Sequence, residues 1–378
     1  MICIPDRFTL YLQKPKRIGM KMLQTGFSWR RLGRSFVLTG LAGALAFGMA
    51  ACRPQTAEKT EQKAEKKAAV KQSLPGSGGK TCEIIVVCPK AYYENLFRDS
   101  LQQWFMEAQP LLNQAEPRFT LANIQPEAFK DNPMFMHHRN IIGIEVDASL
   151  EQPSVEMSAN RWAIPQVVFW FKVKNSGQFD SLFGRYKAFI RHNIYEKEYE
   201  RIQRVFKKSE NLDLSRKLEK HYGFSLVFPD GFEFASMKKD FAWIRKESKH
   251  AGQGIVFQIY PYTDAETFTL PHILKKRNEM VANIPGPIDG SYMTTETGYP
   301  DVYPESRPIQ IDGRYAVETR GLWKLQGDFM GGPFVNYVLV DTAQNRVLMM
   351  DAYLYSPRKP KRDLLIQMEA VARGLKFL

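Results

Sequence analysis

Residues 314–356, RYAVETRGLWKLQGDFMGGPFVNYVLVDTAQNRVLMMDAYLYS, decide the fold class of this chain. Three runs rich in β-branched and aromatic residues are separated by short polar or glycine-rich joints, which predicts three consecutive antiparallel strands at 314–325, 333–341 and 346–356. The first joint, within GDFMGGPF (327–334), has no Lys-Ser or Lys-Thr after its glycines. It therefore predicts a hairpin turn rather than a phosphate-binding loop.

Apolar runs upstream of these strands extend the sheet pattern. The segment FSLVFPDGFEFA (224–235) predicts a hairpin that turns at its Pro-Asp-Gly. Further strands are predicted at 241–247 and 254–262, and helices at 268–280 and 361–375. Strands in antiparallel order with helices grouped beside them indicate an α+β domain whose sheet is mainly antiparallel.

The first half of the folded part begins with the apolar run EIIVVC (83–88), which predicts a strand. A helical pattern follows it up to Phe105. Later strands are predicted at 117–124, 139–147 and 162–173, and helices at 176–206 and 213–221, with Asp213 as an N-cap. We expect two α+β domains, an N-terminal one over 82–212 and a C-terminal one over 213–378.

Two cysteines, Cys82 and Cys88, flank the first predicted strand. Six residues of extended chain separate them by about 20 Å, whereas a disulfide needs Cα atoms within about 7 Å. They are predicted to be buried free thiols.

An uncharged apolar run, Ser35–Ala51, follows an arginine-rich segment and ends at Cys52. The run is shorter than the roughly 20 residues that span a bilayer. With small residues directly before the cysteine, it resembles a bacterial lipoprotein lipobox, in which the cysteine is acylated and becomes the new N-terminus. We expect residues 1–51 to be the signal-peptide region, with the true translation start at Met20 or Met22. Cys52 is the expected lipidation site.

Residues 52–81 are predicted to be a disordered linker after the lipidated cysteine, because they contain no aromatic residue and few aliphatic ones. Most of the formal charge of +13 lies outside the folded part: residues 1–34 carry +7 and residues 53–81 carry +4, which leaves about +2 for the rest. The high pI therefore does not indicate nucleic-acid binding.

Long strings of this sequence resemble one family in order: RNII, FSLVFPDGF, QGIVFQIYPYTD, IPGPIDGSYMTTE and GRYAVETRGLWKLQGDFMGGPFVNY. The family is a group of lipoproteins of Bacteroidota known as domain-of-unknown-function family number 4837, and the resemblance runs from Gly78 to Leu378. It implies a location and a size, but no activity and no catalytic residues. From Tyr222 onward the order of elements also resembles the PsbP-like α+β sandwich, which implies a binding or assembly module.

One polar cluster is a candidate for chemistry. Glu318 and Arg320 are two apart on a predicted strand and project from the same face, near Trp323, and Asp351 lies on another predicted strand. Two carboxylates near an aromatic ring would suit glycan binding or acid–base hydrolysis. The alternative is a cross-strand ion pair on a solvated face of the sheet, worth less than about 1 kcal/mol.

Other common catalytic and metal-binding patterns are missing from the sequence. His137 and His138 are predicted to be a surface pair, and no histidine has the spacing of a zinc site. There is no G-x-S-x-G motif, and an apolar strand is a poor setting for a nucleophilic cysteine. We expect no metal and no cofactor.

Two segments rich in tyrosine, YPYTD (260–264) and SYMTTE (291–296), are predicted to be loops at one functional edge beside the strand that carries Trp323. Burial of the same tyrosines over the end of the sheet is the alternative. The candidate binding residues are Tyr260, Tyr262, Tyr292, Met293, Glu296 and Trp323.

These patterns favour a lipid-anchored protein of the cell envelope that binds or assembles rather than catalyses. The alternative is an envelope hydrolase that acts on glycan or peptidoglycan through Glu318 and Asp351. Expected partners are the membrane, through acylated Cys52, and an envelope protein or glycan, with no nucleic acid. We expect the outer membrane, on its periplasmic side.

Overall fold

The computed structural model describes residues 73–378 and the short strand β1 (Met20–Met22). The remainder of the predicted signal peptide, Cys52 and the linker up to residue 72 lie outside the described residues. Residues 74–378 belong to one compact unit. The division of this part into two domains stays a prediction. Within residues 73–378, no helix is both long enough and apolar enough to cross a bilayer.

The N-terminal half is built on a six-stranded, mainly parallel sheet with the strand order β1-β5-β6-β4-β2-β3. Only β5 runs antiparallel to its neighbour β6. The strands after β1 are β2 (Glu83–Val87), β3 (Thr120–Ile124), β4 (Asn140–Val146), β5 (Ser154–Ala159) and β6 (Val167–Val173). The apolar side chains of β2, β4 and β6 are buried on both faces, as is typical of strands inside a parallel sheet.

Helices cover both faces of this sheet. Aromatic side chains such as Phe105, Phe179 and Phe183 pack on one face, and each contributes roughly 2–3 kcal/mol by burial. Phe129 packs on the other face. The helical elements are α1 (Lys90–Tyr92), a π-helical turn (Tyr93–Phe97), α2 (Arg98–Phe105), α3 (Pro126–Asp131), α4 (Pro133–Met136) and α5 (Ser176–Lys208).

The C-terminal half is built on an eight-stranded sheet in which every pairing is antiparallel. Its order is β11-β13-β14-β15-β10-β9-β8, and β12 pairs with β13 beside β11. The strands are β8 (Glu233–Lys238), β9 (Phe241–Glu247), β10 (Gly252–Pro261), β11 (Tyr292–Thr295), β12 (Glu305–Ile311), β13 (Arg314–Gln326), β14 (Gly331–Asp341) and β15 (Arg346–Tyr355). The α+β class and the mainly antiparallel second sheet are confirmed, and so is the β13–β14 turn, where Gly327 adopts φ +89°.

The large sheet is also covered on both faces. Helices α6 (Leu212–Tyr222) and α8 (Arg362–Arg373) lie on one face, and α7 (Leu270–Val281) lies on the other. Helix α8 also contacts α5, and its Ile366 and Ala370 join the core of the N-terminal half. It is therefore packed between the two halves, which places its polar residues in a buried junction.

Four local predictions are wrong. Residues 224–235 do not form a hairpin: β7 (Phe224–Ser225) pairs with β16 (Lys376–Phe377), and β8 pairs with β9. The N-cap of α6 is Asn211, whose Oδ1 accepts the Leu214 N–H, and not Asp213. His138 is buried against Glu83 rather than paired with His137 on the surface. The SYMTTE segment is largely in strand β11 rather than in a loop, whereas only the first two residues of YPYTD belong to β10.

Two other features concern the chain around β2. Cys82 and Cys88 are free and buried, as predicted. The predicted linker extends to residue 81, but its last residues are attached to the folded part. Gly78 hydrogen-bonds His137 and Arg139, and Ile164 N–H donates to the Pro75 carbonyl.

Candidate functional site

Glu318 and Arg320 lie together, but on a covered face of the sheet rather than on a solvated one. Arg320 Nε donates to Glu318 Oε1 at 2.9 Å, and the Glu318 side chain is fully buried. Two further guanidinium groups bind the same carboxylate, from Arg307 at 2.7 Å and from Arg373 of α8 at 2.9 Å. Burial alone would raise the pKa of Glu318, but Arg320, Arg307 and Arg373 outweigh it, and the pKa lies well below its usual range.

The ion pairs continue from the sheet into α8 and α5. Arg320 Nη1 and Nη2 bind both oxygens of Glu369 at 2.9 and 2.8 Å, a bidentate geometry. Tyr199 of α5 donates its hydroxyl to Glu369 at 2.7 Å. We call Tyr199, Glu318, Arg320, Glu369 and Arg373 the junction network, because they connect α5, α8 and β13.

A polar cleft of about 340 Å³ lies beside the junction network. Arg373 and Tyr199 belong to both, and most of the other lining residues come from α5. These other residues are Glu196, Lys197, Glu200, Gln203, Gln310 and Asp312. Several of the charged ones are already paired, Lys197 with Glu200 and Asp312 with Lys376.

Asp351 lies on the opposite face of the sheet from Glu318. The strand register aligns Glu318 with Tyr337 and Tyr337 with Met350, so Asp351, the next residue, projects to the other side. There it forms a buried bidentate pair with Arg277 of α7, at 2.6 and 3.1 Å. The Arg277 guanidinium also lies over the Phe334 ring, 3.4 Å from its centroid.

The structure therefore does not bring together the two carboxylates that the hydrolase hypothesis requires. Glu318 and Asp351 are separated by the sheet, and arginines bind each of them. Among the described residues, no group of three or more His, Cys, Asp or Glu side chains is placed to hold a metal ion.

The predicted tyrosine edge is divided between two ends of the large sheet. Ile259, next to Tyr260, aligns through β15 and β14 with Ala316 of β13, whereas Tyr292 aligns with Gln326 of the same strand. Ten residues of strand separate those two positions by roughly 30 Å.

The six candidate binding residues also differ in exposure. Trp323 and Met293 are buried, and the Trp323 indole donates to the Leu354 carbonyl. Tyr260 and Tyr262 are half-buried against the α7 face. Glu296 is paired with Lys324 at 3.2 Å. Only Tyr292 is exposed.

Comparison with known proteins identifies the C-terminal half. Residues 211–374 match the family model described as Domain of unknown function (DUF4837). These residues belong to that family. Residues 77–207 match a different model, Domain of unknown function (DUF8532), so the resemblance expected from Gly78 onward applies to the C-terminal half alone.

Solved structures with some similarity include the Saccharomyces cerevisiae Ran-binding protein Mog1p, at 10% identity and a TM-score of 0.28 over 41% of this chain and 90% of that one. A Mog1 mutant matches at 9% identity and a TM-score of 0.26, over 41% of this chain and 90% of that one. Human STARD10 matches at 7% identity and a TM-score of 0.20, over 43% of this chain and 80% of that one. No curated protein sequence matches the chain.

The DUF4837 region presents an apolar surface that the sequence reasoning largely missed. Phe329, at the tip of the β13–β14 turn, is fully exposed, and Ile288 and Tyr292 are 54% and 41% exposed. The loop before β11 lies against this turn: Tyr292 pairs with Gln326, and Ser291 N–H donates to the Ile288 carbonyl. We call Ile288, Tyr292 and Phe329 the apolar end. An aromatic residue in a tight glycine-rich turn has no sheet face to pack on, and that signal was available from the sequence.

Proposed function

We propose that this protein is a lipid-anchored binding module of the cell envelope that recognises a protein partner through the apolar end. The observation that carries the proposal is the full exposure of Phe329 beside Ile288 and Tyr292. Large apolar side chains grouped at one surface are typical of protein interaction sites. A few such aromatic anchors supply most of the binding energy of an interface.

The anchor part of the proposal rests on the sequence. The uncharged run Ser35–Ala51 leads into Cys52, and the lysine-rich segment after it links the cysteine to the folded part. Acylation of Cys52 would hold the protein at a membrane while leaving the apolar end free to meet a partner. We place it at the outer membrane, on the periplasmic side.

The surroundings of the carboxylates favour binding over catalysis. A general acid or base must exchange a proton near the working pH, but Glu318 has a pKa well below its usual range because three arginines outweigh its burial. Asp351 is held by Arg277 inside the α7 face. Both arrangements join secondary-structure elements rather than present a reactive group.

The chemistry of the apolar end favours a protein over a glycan. Recognition of a sugar depends on several polar side chains that converge on its hydroxyl groups, whereas this surface offers two aromatic rings and an isoleucine. Asp289, which is exposed, and Asp328, which is half-buried, flank it. The expected partner therefore has an apolar pocket with basic residues at its rim.

The anchor is tested by labelled palmitate and by mass spectrometry of the mature protein. We expect an acylated N-terminal cysteine at position 52, and release of a Cys52→Ser protein from the membrane. An unacylated N-terminus would refute the anchor while leaving the binding surface open to its own test.

The binding surface is tested by copurification from detergent-solubilised envelope. The double variant Ile288→Ser with Phe329→Ser should recover at least about tenfold less of the partner than wild type, since loss of anchor residues commonly costs 2 kcal/mol or more. Val205→Ser is the control, because Val205 is an apolar residue of α5 about as exposed as Ile288. Equal recovery by wild type and by a correctly folded double variant would refute the proposal.

A further inference from the structure

The chain between the linker and the first strand is fixed to one edge of the N-terminal half. Gly78 N–H donates to the His137 carbonyl at 2.9 Å, and its own carbonyl accepts the Arg139 N–H at 3.1 Å. Ser77 donates its N–H to Ile164 and accepts a bond from the buried Arg201 at 3.0 Å. The point at which the linker leaves the folded part is therefore set by backbone bonds.

Gly79 reinforces this attachment. It adopts φ +94°, and a Cβ at this position would lie 2.3 Å from Nε2 of His138. His138 is itself held by Glu83 at 3.1 Å. A glycine in this conformation lets the backbone cross directly over the imidazole ring.

Apolar residues are exposed around this exit point. Met134 is 66% exposed at the start of α4, three residues before His137, and Leu74 is exposed where the linker ends. Trp162, two residues before Ile164, is half-buried with the Arg161 guanidinium 4.5 Å from its ring centroid. Tryptophan and arginine at the edge of an apolar surface are typical of side chains that lie at a membrane interface.

The charges near this surface differ from those of the apolar end. Lys80, Lys130 and Arg161 are exposed here, along with Glu127 and Asp131, and residues 53–79 add +3. The apolar end instead has two flanking aspartates and no exposed base in the same loops. Anionic headgroups would attract the exit surface at roughly 1 kcal/mol per nearby basic residue, and would repel the apolar end.

We infer that the surface formed by Leu74, Met134, Arg161 and Trp162, here called the exit surface, rests on the anionic lipid surface to which the protein is anchored. The inference depends on the proposed acylation of Cys52. Only 21 residues, 52–72, separate the acylated cysteine from the described part, so the exit point is the part of the fold nearest to the anchor along the chain. The exit surface then lies next to the headgroups, and the apolar end is available to a partner.

Quenching of a fluorescent label by spin-labelled lipids tests this orientation. The full mature protein, shown by mass spectrometry to be acylated, is placed in nanodiscs of phosphatidylethanolamine and phosphatidylglycerol, with the label on Met134→Cys or, at the exposed apolar end, on Phe329→Cys. Cys82 and Cys88 are buried and should remain unlabelled. We expect at least about threefold stronger quenching at position 134 than at 329, because an interfacial side chain lies within the headgroup layer.

Two outcomes would separate the inference from its premise. A protein that carries no acyl group fails the proposed anchor. An acylated protein with equal quenching at 134 and 329 keeps the anchor and overturns the membrane contact. A label on Lys130→Cys should be quenched as strongly as the label at 134. Weak quenching at both positions, as for a label in water, would also overturn the membrane contact.

Discussion

The junction network and the apolar end reverse the usual placement of charged and apolar side chains. Glu318 and Glu369 are buried with arginine partners, whereas Phe329 and Ile288 are exposed. Charged residues that looked like a site in the sequence join a strand and two helices, and an apolar residue that looked like part of a turn lies at the surface. If this comparison is right, changes in the network should lower stability and leave binding unchanged, and changes at the apolar end should do the opposite.

The largest expected effect is that of Glu318→Gln. The amide cannot neutralise Arg320, Arg307 and Arg373, and breaking a buried ion pair by removing one partner typically costs 3–5 kcal/mol. We expect the free energy of unfolding to fall by about 4 kcal/mol in urea denaturation. A loss below 1 kcal/mol would mean that the network is not structural.

Glu318 also predicts a dependence of stability on pH. Its folded pKa is lower than that of an unfolded glutamate, about 4.3, so the stabilisation is complete above that value and is lost as the pH falls toward the lower folded pKa. Between about pH 5 and 3 the unfolding free energy of wild type should therefore decrease more steeply than that of Glu318→Gln. Parallel slopes would contradict this assignment of the pKa.

Asp351→Asn should cost about 3 kcal/mol, because a single arginine, Arg277, loses its buried counter-ion. A double variant, Asp351→Leu with Arg277→Met, serves as the control. Replacing both charges by apolar groups is often neutral, so thermal denaturation should show the double variant to be more stable than Asp351→Asn. If the double variant is instead the less stable of the two, the Arg277–Asp351 ion pair itself stabilises the fold, beyond the cost of leaving Arg277 without a counter-ion.

Tyr199→Phe is a smaller test of the same network. The variant removes one hydroxyl that donates to Glu369, while Arg320 continues to bind both carboxylate oxygens. A hydrogen bond to a charged group is worth about 1.5 kcal/mol, and chemical denaturation should show a loss of that size. An unchanged midpoint would mean that the Tyr199 hydroxyl does not contribute to the contact between α5 and α8, which also includes the Gln203–Ala370 hydrogen bond and the Glu196–Arg373 ion pair.

Phe329→Ser should have the smallest effect on stability, within about 0.5 kcal/mol, because the side chain is fully exposed. Val205→Ser is expected to behave in the same way. A loss of more than 1 kcal/mol for Phe329→Ser would show that the turn packs against the folded part, and would remove the basis for the apolar end.

The sequence predicted those parts of the fold that depend on local patterns. Strands β13 to β15 were found because each is a long β-rich run that ends in a recognisable turn. The pairing of β7 with β16 was missed because it joins residues about 150 positions apart, and no local pattern specifies it. The short strand β7 was therefore assigned to a hairpin with its nearest neighbour.

The candidate site was harder to predict for a similar reason. A spacing of two placed Glu318 and Arg320 on one face, but the burial of that face by α8 is a tertiary feature. Whether Asp351 shares the face depends on the register of β14 and β15, and a shift of one residue would reverse the answer. Exposure of Phe329, in contrast, follows from its place in a tight turn and was predictable.

Site-specific photo-crosslinking in living cells is the most direct test of recognition through the apolar end. A photoreactive amino acid is placed at position 329, at 288 and, as the control, at 205, and each protein is first shown to be membrane-attached and folded. The account predicts the same discrete crosslinked species from positions 329 and 288 and none from 205. No crosslinked species from 329, or the same species from 205, would contradict it.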